Sequence, residues 1–531
     1  MDRPNVSLSE FDVLVVGAGL SGGLPAAAYL QRAGASVALL ERGERSAPFF
    51  SSYERGPGVR FDVAPVNFSA VSPALSDLEL GSFGYRIDFP EIAYSTLDGA
   101  GRAITIYGEL GRTVAELERH SRADARRFSV LLTALHARAR EILSAGFFSP
   151  EPDRHRSLQL TADAVGLARA DLDRLSAPAL VERLFESEAV RVSLTALPAI
   201  NLFGDLLAPG EGACAWLWTF LLRGCRAREG SSALPSSLER AFAAHGGTLL
   251  HGVAARRLVR DASGACCGVE VEIGPERRLF TARRAVVSNL GAGLTSQLLG
   301  EELSPGWRTK GRVVFTADLV LDRPLAWRQE ELRRSPRVYL LWASWEECLR
   351  WLRDAREERE EVFLGHLELT QFHVLYGSTA GGVALRVRFG TGPYLDDDWE
   401  GRRARYTQAL RARLAAIDPA VRIRSLELKT PLDYWRSNPA ALHGNPVGGD
   451  FSEGQWLGQR LPYRTVIPRL YLSNSVWPTS LSWMAPGYNA ACAVAEDLGI
   501  REQGWWSSPP LPDLDRPRPR AGVLMMPRAE R

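Results

Sequence analysis

A glycine turn near the start of the chain, VVGAGLSG at residues 15–22, constrains the fold more than any other feature. It follows a β-branched run, Asp12 to Val16, and precedes a run of small residues suited to a close-packed helix. A second apolar run, Ser36 to Leu40, ends at Glu41. Strand, GxGxxG turn, helix, strand and acid in this order are typical of a βαβ dinucleotide-binding unit. The sequence therefore predicts a Rossmann-type nucleotide domain.

Each position of this turn has a physical role in holding a dinucleotide. Gly17 makes the tight turn, Gly19 lets the backbone approach a pyrophosphate, and Gly22 lets the helix lie close to the strand. The helix N-terminus supplies free N–H groups and a partial positive charge to the phosphates. Glu41 is placed to accept a ribose 2′-hydroxyl, and its carboxylate disfavours NADP by repelling a 2′-phosphate. Pro25 lies inside the expected helix and predicts a small kink there.

Composition limits the partners and the compartment. The 531 residues exceed one ordinary core, so two or more packed units are expected. The net charge of +2 is too small to attract nucleic acid electrostatically. Most basic residues are arginines, and we infer no function from that preference. The six cysteines fit a reducing compartment, and neither they nor the histidines have metal-ligand spacing, so no metal site is expected. The polar N-terminal residues favour a cytoplasmic protein.

The apolar run ACAWLWTFLL at residues 213–222 is the strongest membrane candidate. It is shorter than the ~18 apolar residues that a membrane-spanning helix needs. We expect it to line a pocket or to make peripheral contact with a bilayer surface. A longer charged stretch, Glu109 to Leu143, predicts an amphipathic helix with one solvated face.

Later segments carry further strands and helices of a nucleotide domain. Leu234 to Phe242 predicts a helix, and Phe280 to Asn289 and Arg469 to Pro478 predict strands. The segment PGYNAACAVAEDLG, residues 486–499, predicts a helix whose alanines allow its N-terminus to approach a bound ring. A helix N-terminus at the pyrimidine edge of a flavin would stabilise the negative charge of the reduced ring.

Several motifs in order along the chain resemble the phytoene-desaturase-like FAD-dependent oxidoreductases, a branch of the amine-oxidase-type flavoprotein superfamily. The matching phrases are VVGAGLSG with VALLERG, FDVAP (61–65), ALPSSLERAFAAHGGTLLHGVAARRLV, AVVSN (285–289), TPLDYWRSNP (430–439), and YRTVIPRLYL followed by APGYNAACAVAEDLG. They run from about residue 12 to residue 499. The resemblance is specific for the family and leaves the substrate open.

The resemblance implies an α/β protein in which a Rossmann-type FAD-binding domain, discontinuous in sequence, is joined to a second α+β substrate-binding domain. The FAD-binding domain is expected to comprise residues 1–91, 226–303 and 430–504. The substrate-binding domain is expected to comprise residues 92–225 and 304–429. The proline-rich residues 505–531 are expected to be a disordered tail, with Trp505 and Trp506 pinning its start to the body.

The same resemblance implies non-covalent FAD and assigns the residues that hold it. FAD is expected to contact these residues through its ADP part, its phosphates and ribityl chain, or its ring. In chain order they are Gly17, Gly19, Leu20, Ser21, Gly22, Glu41, Arg42, Val253, Asn289, Asn474, Ser475, Pro486, Gly487, Tyr488 and Asn489.

Two segments depart from the family pattern. WPTSLSWM, residues 477–484, stands where relatives have a glycine-rich run, and RAREGSS, residues 226–232, replaces a Pro-x-Gly-Gly segment. The bulky side chains of WPTSLSWM imply apolar surroundings for the ring. The candidates for chemistry at the ring are Tyr488, Asn489, Arg464 and Asp450, with Trp477 and Trp483 as walls. Asp450 lies in GGDFSEGQ, where a solvated carboxylate is the alternative interpretation.

The function favoured by these observations is an FAD-dependent dehydrogenase or desaturase. It would move a hydride from a hydrophobic small molecule to flavin N5 and pass electrons to oxygen or a quinone. Three alternatives stay open on the sequence: a flavin-dependent double-bond isomerase with no net redox, a protein whose FAD is structural, and a plain NAD dehydrogenase. The C-terminal strand and helix favour FAD over NAD.

Overall fold

The computed structural model describes residues 9–201, 204–222, 224–360, 362–390, 392–395, 398–445, 447–451, 454–456, 459–479, 483–501 and 504–506. Its strands, in chain order, are β1 (Glu10–Val16), β2 (Val37–Glu41), β3 (Ser52–Glu54), β4 (Arg60–Asp62), β5 (Val66–Asn67), β6 (Ile87–Asp88), β7 (Ile92–Leu97), β8 (Ala103–Tyr107), β9 (Cys225–Ala227), β10 (Thr248–His251), β11 (Val253–Arg260), β12 (Cys266–Ile273), β13 (Glu276–Ser288), β14 (Arg312–Val313), β15 (Thr316–Leu321), β16 (Arg337–Leu340), β17 (Leu367–Gln371), β18 (Val383–Phe389), β19 (Gly392–Pro393), β20 (Ile423–Lys429) and β21 (Leu470–Leu472).

The α-helices, in chain order, are α1 (Gly23–Arg32), α2 (Ala74–Asp77), α3 (Leu110–Glu118), α4 (Arg122–Ala137), α5 (Ala139–Gly146), α6 (Arg154–Ala164), α7 (Arg169–Leu172), α8 (Ala177–Leu184), α9 (Glu188–Asn201), α10 (Glu211–Thr219), α11 (Ala233–Ala244), α12 (Gly291–Leu299), α13 (Glu330–Arg334), α14 (Trp345–Arg356), α15 (Val362–Gly365), α16 (Phe372–Tyr376), α17 (Trp399–Ile417), α18 (Pro431–Ser437) and α19 (Ala485–Leu498). Short 3₁₀ turns cover Ser69–Val71 and Leu442–Gly444. No described helix combines the length and apolar character needed to cross a bilayer.

The first sheet is the Rossmann sheet predicted from the glycine turn. Strands β10, β2, β1 and β13 pair in parallel in that order, β21 pairs in parallel with β13, and β12 and β11 add an antiparallel edge. In β1, Val13 and Val15 face one apolar cluster while Leu14 and Val16 face the other. Burial on both faces explains why this strand is a continuous apolar run.

The helices that follow the first and last strands of this sheet pack against each other. Pro25 lies in the first turns of α1 and has no N–H to donate to the Ser21 carbonyl. That carbonyl instead accepts the backbone N–H of Gly487 in α19 at 2.9 Å. Pro25, where a kink was predicted, therefore lies at the contact between α1 and α19 and leaves the Ser21 carbonyl open to a donor from α19.

The second sheet is mostly antiparallel and takes its strands from two distant parts of the chain. Its order is β20-β15-β18-β17-β16-β7-β8, so strands of residues 92–107 and 316–429 share one sheet. One face is apolar and packs against Trp399, Tyr406, Leu410 and Leu414 of α17. The opposite face carries polar side chains and forms one wall of a cavity described below.

The charged stretch predicted as one amphipathic helix is three helices, α3, α4 and α5. Ser121 begins a new helix after α3, because its side chain accepts the Asp124 N–H and caps α4. At the other end of the chain, Trp506 is buried and its ring lies 5.0 Å from that of Tyr29. Trp505 stacks on the same tyrosine at 6.0 Å, so both tryptophans contact the body as expected. Residues 507–531 of the expected tail lie outside the described residues.

Candidate cofactor and substrate site

A cavity of about 590 Å³ lies at the carboxyl ends of β1 and β2, and we name it the nucleotide cavity. The glycine turn, the end of β2 and the start of β11 form its walls. Nine of the residues assigned to FAD line it: Gly17, Gly19, Leu20, Ser21, Glu41, Arg42, Val253, Asn289 and Asn474. Gly17 has φ +95°, which only glycine adopts without strain, and the N-terminus of α1 faces this space.

The Glu41 carboxylate is held in place by backbone donors. Its Oε2 accepts the Ala18 N–H at 2.9 Å, and its Oε1 accepts the Gly43 N–H at 2.7 Å. Each carboxylate oxygen can accept more than one hydrogen bond. Glu41 is therefore fixed at the cavity wall and still able to accept a ribose hydroxyl.

Asn289 closes the glycine turn from the strand side. With its amide oriented to suit its neighbours, its oxygen accepts the Gly19 N–H at 3.2 Å and its nitrogen donates to the Ser473 carbonyl at 3.1 Å. A Cβ at Gly19 would lie 2.3 Å from the end of this amide, and a Cβ at Gly22 would lie 2.2 Å from the Ser473 oxygen. Both glycines are thus required by protein packing as well as by a close-approaching ligand.

A second cavity, about 260 Å³ in volume, adjoins the first, and we name it the aromatic cavity. Phe49 and Phe50 line both cavities, so the two spaces meet at this pair. Its wall is mainly apolar and includes the aromatic side chains of Phe68, Phe147, Trp218, Phe451, Trp456, Trp477 and Trp483. Residues 63–65 of the FDVAP phrase also line it, and the Ala64 N–H donates to Ser231 Oγ at 3.1 Å, which joins FDVAP to the RAREGSS segment.

Trp477 and Trp483, the expected walls of the ring, both line the aromatic cavity, and buried hydrogen bonds hold Trp477. The Tyr463 hydroxyl donates to the Trp477 carbonyl at 2.8 Å, and Asn489 Nδ2 donates to that hydroxyl and to the Phe147 carbonyl, each at 2.9 Å. Trp477 Nε1 donates to the Gly146 carbonyl at 2.8 Å. Burial raises the pKa of Tyr463 far above its ordinary value, so it remains a neutral hydroxyl. Asn489 acts on the cavity through Tyr463 rather than by lining it.

Tyr488 and Arg464, which were also expected at the ring, contact other parts of the protein. Tyr488 is buried against Tyr29, with ring centroids 5.3 Å apart, because α19 packs on α1. Arg464 is bound by Asp497 at 3.0 Å and Glu496 at 3.1 Å near the surface. Neither residue lines the nucleotide cavity or the aromatic cavity.

Asp450 is not the solvated loop carboxylate of the alternative interpretation. It is only 9% exposed, its Oδ2 accepts Arg308 Nε at 3.2 Å, and its Oδ1 accepts the Phe451 N–H at 2.7 Å. It therefore orients the loop that carries Phe451 into the aromatic cavity. The carboxylate itself does not line either cavity.

Four residues assigned to FAD, namely Gly22, Ser475, Pro486 and Gly487, line neither cavity and pack behind the walls. Ser475 Oγ accepts the Ala292 N–H at 2.8 Å, and Gly487 packs on the turn that contains Gly22. Pro486 is buried beside Gly487 in α19. These residues shape the walls without lining the cavities.

The polar face of the second sheet is the part of the site that the sequence interpretation missed. Two cross-strand rows line the aromatic cavity, and their members are Thr316, Arg388 and Glu368 in one row and Arg386, Thr370 and Arg337 in the other. The signal was present in VALRVRF, residues 383–389, where apolar residues alternate with Arg386 and Arg388. Period-two alternation predicts a strand with one polar face.

The ion pairs on this polar face differ in length. Arg386 Nε donates to Asp318 Oδ1 at 2.8 Å, and Tyr53 completes that cluster through its hydroxyl. Arg337 and Glu368 approach only to 3.9 Å. Among the described residues no group of three or more His, Cys, Asp or Glu side chains is placed to hold a metal ion.

Comparisons with known proteins agree with this architecture. The model of the NAD(P)-binding Rossmann-like domain family matches residues 15–78. Over 551 aligned positions, which cover 94% of this chain and 97% of the relative, the chain is 25% identical to a component polypeptide of the limonene dehydrogenase of Castellaniella defragrans.

Solved structures show the same fold. Cyclohexylamine oxidase from Brevibacterium oxydans has a TM-score of 0.54 at 17% identity, covering 92% of this chain and 99% of that one. A redesigned triple variant of putrescine oxidase has a TM-score of 0.56 at 17% identity, covering 93% and 99%. The chain therefore has the two-sheet fold of these amine oxidases, with a Rossmann-like unit near its N-terminal end.

Proposed function

We propose that the chain is an FAD-dependent dehydrogenase or desaturase that acts on a small hydrophobic molecule held in the aromatic cavity. The observation that carries the proposal is that Phe49 and Phe50 line both cavities. A dinucleotide that begins at the glycine turn and passes these rings would bring its reactive end to the aromatic wall. The near full-length relative named as a limonene dehydrogenase component supports a hydrocarbon-like substrate.

The residues present fit FAD. Glu41 offers acceptors for a ribose hydroxyl, the N-terminus of α1 offers its partial positive charge to phosphates, and Gly17 and Gly19 leave room for close approach. When bound, FAD would supply a hydride acceptor at N5, with oxygen or a quinone as the final electron acceptor. In this proposal Trp477, Trp483 and Phe147 orient the substrate and exclude water.

The visible absorption spectrum of the purified protein, before and after dithionite under nitrogen, tests the cofactor. A flavin spectrum that bleaches is expected. A colourless protein that cannot be reconstituted with FAD would exclude the proposal. The variant Gly19→Asp should lose the flavin, because its side chain would clash with Asn289 and place a negative charge at the phosphates. Gly81→Asp, where a Cβ meets nothing within 4 Å, should keep it.

Anaerobic mixing with limonene then tests the reaction. Bleaching of the flavin by substrate alone, followed by recovery on admission of oxygen or a quinone, is expected of a dehydrogenase. Formation of a double-bond isomer with no acceptor consumed would instead establish an isomerase.

A further inference from the structure

A buried arginine that lines neither cavity binds the backbone of the aromatic wall. Arg460 is 5% exposed, and burial lowers its pKa to about 9, so it is charged at neutral pH. Its Nε donates to the Val476 carbonyl at 3.1 Å, and its Nη2 donates to the Val447 carbonyl at 2.8 Å. Its Nη1 donates to the carbonyls of Asp450 at 3.0 Å and Gln455 at 3.3 Å. Hydrogen bonds from a charged donor are stronger than those from a neutral one.

The four acceptors belong to the peptide units that carry lining residues of the aromatic cavity. Val447 is itself a lining residue, and the other three acceptors immediately precede the lining residues Phe451, Trp456 and Trp477. Because a peptide unit is planar, a bond that fixes a carbonyl also fixes the nitrogen and Cα of the next residue. The guanidinium carbon of Arg460 also lies 4.3 Å from the centroid of the Phe451 ring. One side chain therefore holds wall residues from two separate segments of the chain.

Three of these carbonyls depend on Arg460. Among the described residues, no other donor reaches the carbonyls of Val447, Gln455 and Val476. All three residues are buried, and a buried carbonyl without a donor is costly. Loss of the guanidinium would therefore force the backbone to move until these carbonyls find other donors.

We propose that Arg460 is a positioning residue that preorganises the aromatic cavity, because it keeps Phe451, Trp456 and Trp477 in place before the substrate arrives. The inference rests on the proposed function, since it concerns the cavity in which that function places the substrate. A wall that is already ordered loses little side-chain freedom when a ligand binds, and this saving strengthens binding. Arg460 acts through the wall, since it lines neither cavity.

The variant Arg460→Lys tests the inference while keeping the charge. Lysine has all its donors on one nitrogen, so it cannot reach carbonyls arranged around a planar fork. We expect the dissociation constant for limonene, measured by equilibrium dialysis with the FAD-loaded protein, to rise about tenfold, the effect of ordering one or two side chains on binding. The dissociation constant for FAD should change much less, because the wall residues that Arg460 holds do not line the nucleotide cavity.

Arg323→Lys is the matched control. Arg323 binds the two carboxylate oxygens of Asp418 at 2.7 and 2.8 Å, and it lines neither cavity. This variant also loses the contacts of a planar fork, so its free energy of unfolding should fall while its limonene binding stays unchanged. An equal weakening of limonene binding in both variants would point to a general loss of stability and overturn the inference. Unchanged limonene binding in Arg460→Lys would also overturn it.

Hydrogen exchange of the unaltered protein gives a second test that needs no variant. The backbone N–H groups of Val447, Asp450 and Phe451 donate to the Asn445 side chain, the Arg308 carbonyl and the Asp450 carboxylate, respectively. In the FAD-loaded protein these groups should exchange slowly without limonene, and adding limonene should change their rates little. Fast exchange that becomes slow only with limonene would mean that the wall orders on binding, which would overturn the inference.

The inference and the proposed function can fail separately. Bleaching of the flavin by limonene is read in the parent protein, whereas the role of Arg460 is read from limonene binding. A parent that binds limonene without bleaching would refute the proposed function, and the comparison with Arg460→Lys would still decide the positioning role. A parent that limonene reduces, with equal limonene binding in Arg460→Lys, would refute the positioning role and keep the proposed function.

Discussion

Gly487 donates its backbone N–H to the carbonyl oxygen of Ser21 at 2.9 Å, which ties the last helix of the fold to the glycine turn of the first βαβ unit. The acceptor is available because Pro25, four residues after Ser21, has no N–H to fill it. The contact also needs glycine, since a Cβ at residue 487 would lie 2.4 Å from the Gly22 carbonyl and 2.6 Å from the Pro25 ring. Pro25 and Gly487 are therefore complementary parts of one helix–helix contact.

We predict that Gly487→Ala destabilises the protein by about 1–3 kcal/mol, the usual cost of overpacking, because two backbones must move apart. The same movement displaces Gly22 and should weaken FAD binding. Urea unfolding and flavin content measure the two effects. Gly81→Ala is the control, because a Cβ there meets nothing within 4 Å. Equal stability of the two variants would show that the α1–α19 contact is not tight.

Glu41→Gln should raise the dissociation constant for FAD about tenfold, which corresponds to about 1.4 kcal/mol. Glutamine has one oxygen, so it cannot accept the Ala18 and Gly43 N–H groups on separate oxygens as the carboxylate does. Fluorescence titration of the apoprotein with FAD gives the constant. Glu276→Gln, at a side chain 59% exposed that pairs with Arg278, should bind FAD as the parent does.

Tyr463→Phe should raise KM for the substrate several-fold and lower the free energy of unfolding by about 1 kcal/mol, the usual worth of one hydrogen bond. The change removes the donor to the Trp477 carbonyl and the acceptor for Asn489. Tyr471→Phe loses a comparable bond, from its hydroxyl to Asp497 at 2.7 Å, away from the cavity. It should lose stability without a change in KM. If both variants have the same KM, Tyr463 does not help to position Trp477 for substrate binding.

His366 predicts a loss of stability in acid. Its ring is fully buried among Trp342, Trp351 and Tyr339, and among the described residues neither ring nitrogen has a hydrogen-bond partner. Burial, with a smaller effect from Arg388, lowers its pKa to about 3 from the ordinary 6.5. Between pH 3 and pH 6.5 the unfolded chain therefore binds a proton at this ring, whereas the folded protein does not.

Consequently, the contribution of His366 to stability is complete above pH 6.5 and is lost as the pH falls toward 3, at about 1.4 kcal/mol per pH unit. Urea unfolding between pH 7 and pH 4 measures this slope. His366→Phe should flatten it, because no proton is then taken up on unfolding. His155→Phe, at an exposed position of α6, should leave the slope unchanged. If the free energy of unfolding depends on pH equally in both variants, groups other than His366 cause the acid sensitivity.

The Rossmann-like unit near the N-terminal end was predictable because its residues belong to one short segment. The strand, turn and acid between Asp12 and Glu41 need only local geometry, and their spacing along the chain fixes where Gly17 and Glu41 lie. Asn289 and Val253 line the same cavity from distant strands. Their placement followed from the family pattern rather than from local chemistry.

Tyr488 and Asn489 were placed at the ring on that pattern, and the structure turns both inward. Once Gly487 is held against the turn at Ser21, the next residues of α19 face the core. Tyr488 meets Tyr29, and Asn489 bonds the Phe147 carbonyl. A contact between two helices from opposite ends of the chain decides their orientation, and neither segment alone carries that information.

The polar face of the second sheet, which lines the aromatic cavity, was missed for a different reason. Its residues come from four strands, and only their cross-strand register brings Arg337, Arg388 and Glu368 to one wall. The alternation in β18 indicated a polar face. Whether that face meets solvent, as polar strand faces usually do, or a cavity depends on what packs above it.

The bond between Ser21 and Gly487 also sets an order of events during synthesis. Its acceptor leaves the ribosome about 460 residues before its donor, roughly 20 to 90 s earlier at ordinary elongation rates. Strand β21 and helix α19 arrive in the same late interval. Until residue 487 has emerged, the nascent chain therefore lacks the donor for the Ser21 carbonyl, so the packing of the first βαβ unit is completed long after the unit itself has been synthesised.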